Sequence, residues 1–283
     1  SCAAPQKAPE VQLPEKEEII IKEIIIEKKE EPVVKETIKE PIFHCTEDTS
    51  SIFNSNGITV SPFMKISFFD MDGDGLADLI AGNKNGTLQL YRNAARPGVL
   101  LWMPVDGYFD GIKVNAFSSP AAGDIDGDGK TEIVVGTGGF SSESGRILIY
   151  KNTGENDRPE WRTVGGNDLR IGNDAAVTLV DYTFDSMPDI IAGNSEGKIF
   201  FFKNVSVNGA VRFQFDTTVY IHHPIDKYAV PAAVKVDGKI ILIAGTSLGD
   251  LYQFDIKPNS GPLTGRKIRV GSEQKRFLSP AFI

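Results

Sequence analysis

The stretch that decides the fold is Asp70-Met71-Asp72-Gly73-Asp74-Gly75-Leu76-Ala77-Asp78-Leu79-Ile80-Ala81-Gly82. Alternating carboxylates and two glycines lead into a short apolar run that ends on glycine. The same order returns downstream. Asp124-Ile125-Asp126-Gly127-Asp128-Gly129-Lys130-Thr131-Glu132 runs into Ile133-Val134-Val135-Gly136. Asp181-Tyr182-Thr183-Phe184-Asp185-Ser186-Met187-Pro188-Asp189 runs into Ile190-Ile191-Ala192-Gly193. A fourth copy has lost the acidic loop: Lys235-Val236-Asp237-Gly238-Lys239 precedes Ile241-Leu242-Ile243-Ala244-Gly245. Internal repetition of this kind sets the architecture before any single residue is weighed.

The glycines at 82, 136, 193 and 245 are 54, 57 and 52 residues apart. Each is followed by a turn and a second β-prone run: 87–93, 146–152, 198–204 and 250–254. Short β-branched and aromatic runs bounded by Gly and Asn read as strands. A unit of roughly 50 residues with about four strands is a propeller blade. A fifth start appears at 278–283, where Ser279-Pro280-Ala281 repeats Ser119-Pro120-Ala121. The fold expected is therefore all-β: a β-propeller of four-stranded blades, four repeats plus the first strand of a fifth. An extended or partly helical tether is expected to precede it.

The acidic loops point to a metal ion. Asp70, Asp72, Asp74 and Asp78 take positions 1, 3, 5 and 9, and the glycines let the carbonyl of Leu76 turn inward. Asp124, Asp126, Asp128 and Glu132 do the same, with the Lys130 carbonyl. Oxygen-only ligands suit Ca²⁺ rather than Zn²⁺ or Cu²⁺. The third loop keeps Asp181, Asp185 and Asp189 with the Thr183 hydroxyl, but not the glycines, so weaker binding is expected there. Two calcium sites and a third, weaker one are the expectation, with the fourth unit metal-free. An EF-hand would need Glu at position 12, where Ala81 and Val135 stand inside expected strands.

These units resemble FG-GAP/VCBS repeats, the blades of integrin-α-like propellers, over about residues 64–283. The likeness is specific in the first two units, good in the third and weak in the fourth. It implies that each acidic loop joins the first and second strands of a blade and binds calcium.

Composition separates a tether from this domain. Residues 1–41 hold 10 Glu, 7 Lys and 5 Pro with no Gly, aromatic or Asp, whereas all 28 Gly lie from Gly57 onward. Such a tract buries too little apolar surface to offset its ordering entropy. The expected domains are thus a charged Pro/Ile-rich tether, 1–41, and the propeller, 42–283. Ser1-Cys2-Ala3-Ala4-Pro5 resembles the tail of a bacterial lipobox, which implies a lipid on Cys2 and a membrane anchor. The expected location is the cell envelope, periplasmic or cell-surface, or else secreted.

Several chemistries find no support. A net charge of −8 without a basic stripe excludes a nucleic-acid binder. Two cysteines make neither a disulfide scaffold nor a four-thiolate zinc site. Gly193-Asn194-Ser195-Glu196-Gly197 and Gly245-Thr246-Ser247-Leu248-Gly249 match a nucleophile elbow. That elbow needs a strand-to-helix turn, and both segments lie where a hairpin is expected. His222 and His223 read as an ordinary loop, and Trp102 and Trp161 as rim packing of outer strands. The function expected is a non-enzymatic, calcium-stabilised binding module for a protein or glycan partner, acting in adhesion or envelope assembly. The alternative is a propeller-type polysaccharide lyase or hydrolase.

Overall fold

The computed structural model describes residues 58–59, 63–96, 101–139, 145–166, 169–222 and 224–268. The tether, Cys2, the start of the propeller domain at 42–57, His223 and the fifth start at 278–283 lie outside the described residues. Among the described residues there is no helix.

Four antiparallel sheets follow one another along the chain. The first is β1 (Lys65–Phe69), β2 (Asp78–Gly82), β3 (Leu88–Asn93) and β4 (Trp102–Val105), paired in that order. The second is β5 (Ser119–Gly123), β6 (Glu132–Gly136), β7 (Gly145–Asn152) and β8 (Trp161–Thr163), with β9 (Leu169–Gly172) also on β7. The third is β10 (Ala176–Val180), β11 (Asp189–Gly193), β12 (Ile199–Asn204) and β13 (Phe213–Phe215). A short β14 (Tyr220–Ile221) precedes the fourth, made of β15 (Val230–Val236), β16 (Lys239–Gly245), β17 (Leu251–Ile256) and β19 (Arg266–Ile268). β18 (Pro262–Leu263) runs parallel to β14. Each acidic loop joins the first and second strands of its blade.

The first strands face a shared centre. Ser67, Ala121, Val177, Thr178 and Ala232, from β1, β5, β10 and β15, line one cavity. The four sheets are thus the blades of a β-propeller.

Side-chain alternation explains the packing, since successive residues of a strand point to opposite faces. In β6, Ile133 and Val135 pack toward the first sheet with Ile80, Leu90 and Met71. Val134 packs toward the third sheet with Ile190 and Ala192. Ile191 in turn joins Leu242 and Phe254 of the fourth. The second strands read as continuous apolar runs because both faces are buried. Trp102 is buried with Leu79 and Tyr91, and Trp161 donates its Nε1–H to the Tyr108 carbonyl at 2.9 Å. Both open the outer strand of a blade, as expected.

The glycines that end the second strands are fixed by neighbours, not by φ. A Cβ on Gly82 would stand 2.2 Å from the Ser118 carbonyl oxygen. On Gly136 it would stand 2.5 Å from that of Ala175, and on Gly193 2.2 Å from that of Ala229. In each case the contact is the backbone that leads into the next blade. The repeat spacing of these glycines is therefore the spacing of blade junctions.

Candidate metal centres

The position-1 aspartate shapes each acidic loop. Asp70 Oδ1 accepts the N–H groups of Gly73 at 2.7 Å and Asp74 at 3.1 Å, and its Oδ2 that of Gly75 at 2.9 Å. Asp124 repeats this set with Gly127, Asp128 and Gly129. Gly73, Gly75, Gly127 and Gly129 all have positive φ, which glycine adopts without steric cost. The third loop keeps the same course with other residues. Phe184 and Ser186 stand at the two glycine positions with φ of 63° and 75°. Asp181 there accepts the N–H groups of Asp185 and Ser186. A loop that holds two side chains in the left-handed region carries strain the other two avoid.

The position-9 acid ties the loop to the sheet. Asp78 is buried and accepts the N–H of Met71 at 3.0 Å and that of Asn93, the last residue of β3, at 2.8 Å. Asp189 does the same with Thr183 and Asn204. Glu132 Oε2 accepts the Ile125 N–H at 3.1 Å. Asn93 and Asn204 also donate their side-chain N–H groups to the carbonyls of Ala77 and Pro188. These asparagines lie outside the acidic motif. Their signal is the repeated ending Tyr91-Arg92-Asn93, Tyr150-Lys151-Asn152 and Phe202-Lys203-Asn204.

Carboxylates converge in two loops. One oxygen from each of Asp124, Asp126, Asp128 and Glu132 lies within 4.8 Å of the others, as do oxygens of Asp70, Asp72 and Asp78. Asp74 stands outside that second group; it is exposed, and its Oδ1 accepts the Leu76 N–H. Among the described residues, Asp181, Asp185 and Asp189 form no such group. Cations flank the clusters: Arg92 reaches Asp72 at 3.3 Å, and Lys151 pairs with Asp126 and, at 3.1 Å, Asp128.

One lysine leaves the second cluster incompletely neutralised. Asp126 Oδ1 and Glu132 Oε1 are buried and have no hydrogen-bond partner. Burial, reinforced by the charges of Asp126 and Asp128, pushes the Glu132 carboxyl up to about 8, against the pull of the Ile125 N–H. Burial also raises Asp78 above the ordinary carboxylate range. Acids this costly to ionise, two of them with a bare oxygen in the second cluster, fit a hard divalent cation. Both clusters can hold a metal ion.

The fourth blade shows what replaces the site. By strand register Ile241 stands where Asp78 and Asp189 do, Asp255 where Arg92 and Lys203 do, and Ile256 where the asparagines do. Acid and base have exchanged strands: Lys239 of β16 pairs with Asp255 of β17 at 2.7 Å. The loop shrinks to a hairpin turn of Asp237 and Gly238, both at positive φ.

The two serines of the Gly-x-Ser-x-Gly segments sit in the β11–β12 and β16–β17 turns. In each, the last glycine, Gly197 or Gly249, supplies a positive φ.

An FG-GAP-like repeat family matches residues 70–135 and 124–192. All three acidic loops and strands β2 to β10 fall within those spans, with β11 up to Ala192. A search of curated proteins found no match to the chain. The matched FG-GAP-like repeats lie in the first three of the four propeller blades.

Proposed function

We propose that the chain is a calcium-stabilised propeller that binds a macromolecular partner and performs no chemistry on it. One observation carries the metal half of this reading: buried Asp126 Oδ1 and Glu132 Oε1 lack any protein donor inside a cluster of four carboxylates. Ca²⁺ accepts six to eight oxygen ligands in flexible geometry, which suits short loops of carboxylates and carbonyls. Asp70, Asp72 and Asp78 would hold one ion, and Asp124, Asp126, Asp128 and Glu132 another. Each would pin the connection between the first two strands of its blade. A rigid ring of blades then presents loops at both rims, the usual setting for recognition. Cys2 and the charged tract that follows it would tether this ring to a membrane of the cell envelope.

The test is calorimetric titration of Ca²⁺ into the chelator-treated full chain. Two bound ions per chain support the reading. No heat of binding at millimolar Ca²⁺ refutes it.

A further inference from the structure

The acidic loops occupy one rim of the propeller, because they follow the first strands. The other rim is where the chain enters those strands, and it carries an unusual repetition. Phe63, Phe117, Asp174 and Tyr228 each stand two residues before β1, β5, β10 and β15. All four have positive φ, from 52° to 60°. The left-handed region suits glycine or asparagine and penalises bulky side chains. A junction that needed only this backbone course would be built with glycine, yet three of the four positions are aromatic.

Hydrogen bonds explain why the course itself repeats. The Phe117 N–H donates to the Lys84 carbonyl, and the Tyr228 N–H to that of Ser195. The N–H of Ala175, beside Asp174, donates to the Thr137 carbonyl. Each second-to-third-strand turn is thereby tied to the segment entering the next blade. At the third position the side chain takes part as well, Asp174 Oδ1 accepting the Gly139 N–H at 3.2 Å; the other three positions are aromatic.

Two of the aromatic side chains are presented outward, and Phe117 is half-buried. Phe63 is 59% exposed and Tyr228 42%. Phe117 packs edge-on against Phe63 with ring centres 5.4 Å apart. Leu248, in the β16–β17 turn at the same rim, is 52% exposed. Lys84 lies over the Phe63 ring at 5.8 Å, and Lys227 is exposed next to Tyr228. Lys65, the first residue of β1, is half-buried two residues beyond Phe63 and interacts electrostatically with Asp174. Desolvation pulls the Lys65 ammonium down to about 8, more than Asp174 restores. Backbone strain and a partly desolvated cation thus fall in one short segment, as they do where a surface is shaped for a ligand.

We propose that this rim is a docking surface for an acidic peptide segment of a protein partner, its carboxylate directed to Lys65 and its apolar side chains to Phe63, Phe117 and Tyr228. The proposal rests on the binding-module reading. Charge complementarity names the acid, since three lysines edge the aromatics on a chain of net charge −8.

The experiment pans a phage-displayed random dodecapeptide library on the immobilised full chain and probes an array of acidic and neutral oligosaccharides in parallel. Selected peptides are expected to pair Asp or Glu with aromatic or aliphatic residues. Their synthetic forms should bind Lys65→Met and Tyr228→Asn at least tenfold more weakly, and Phe215→Ala, an exposed outer-strand control, as well as the unaltered chain. The thermal midpoints of Tyr228→Asn and Phe63→Gly should be unchanged or higher, because left-handed strain is relieved. Lowered midpoints would make the aromatics structural and overturn the proposal. Peptides indifferent to the rim variants would overturn it while leaving the binding-module reading intact, as would Lys65-dependent binding of acidic oligosaccharides alone. No ligand in either arm would remove both.

Discussion

Replacing Asp126 by Asn separates a bound ion from a resident lysine as the partner of the second acidic loop. At about 2 mM Ca²⁺ and a dissociation constant of about 10⁻⁴ M, each site adds about 1.8 kcal/mol to stability. Two sites add about 3.6 kcal/mol, and a domain of this size moves by about 2–4 °C per kcal/mol. The unaltered chain should therefore melt about 7–14 °C lower in chelator than in calcium, by scanning calorimetry. Asp126→Asn removes a wholly buried carboxylate from a four-acid cluster but leaves Asp70, Asp72 and Asp78 untouched. The chelator-dependent difference should fall by about half. Asp255→Asn, in the blade without an acidic loop, should leave it unchanged. The difference is the decisive readout, since Asp126→Asn also breaks the ion pair with Lys151. If it lowers the midpoint equally in both buffers, the lysine is the true counter-ion of that loop and the ion-binding argument fails.

Three further outcomes are expected. Gly193→Ala should cost about 1–3 kcal/mol in urea denaturation, because its Cβ would stand 2.2 Å from the backbone oxygen of Ala229; an unchanged midpoint would contradict the junction geometry. Lys65 has a folded-state pKa lowered to about 8 from 10.5, so between those values the unfolded chain binds more protons. Stability should rise as pH climbs from about 8 to 10.5, and Lys65→Met should flatten that rise. A fluorophosphonate probe should label neither Ser195 nor Ser247, both in hairpin turns; stoichiometric labelling lost in the Ala variant would establish a serine enzyme instead.

The blades were legible because their signals are local. The alternating acids, the loop glycines and the strand-ending glycines lie within some 13 residues, and they mark the same connections in three dimensions. The loss of the fourth loop was legible too, since Asp237-Gly238 is a short hairpin signal. What the sequence concealed depends on chain segments far apart. Asn93 completes the Asp78 site from 15 residues away, and Asn204 that of Asp189. Arg92 and Lys151 pair with acids through the sheet, not along the chain. The left-handed positions at the other rim had no sequence signal at all, because Phe, Asp and Tyr share no turn chemistry. The parallel pairing of β14 with β18 joins segments on either side of the first three strands of the fourth blade, beyond any periodicity argument.

The loss of the acidic loop from the fourth blade, where Ile241 stands at the position-9 acid, gives the row of blades a direction. Going along from the first blade, closure of the inner hairpin passes from glycine-built acidic loops to a strained one, and then to a two-residue turn beside the Lys239–Asp255 pair. Were the first two loops to hold calcium as proposed, its loss would take from their blades a fastening that the fourth blade lacks. Unfastening would then start from the N-terminal side. A propeller with near-repeating blades would in this way be mechanically graded, its response to the surrounding ion concentration confined to the first blades instead of shared by all four.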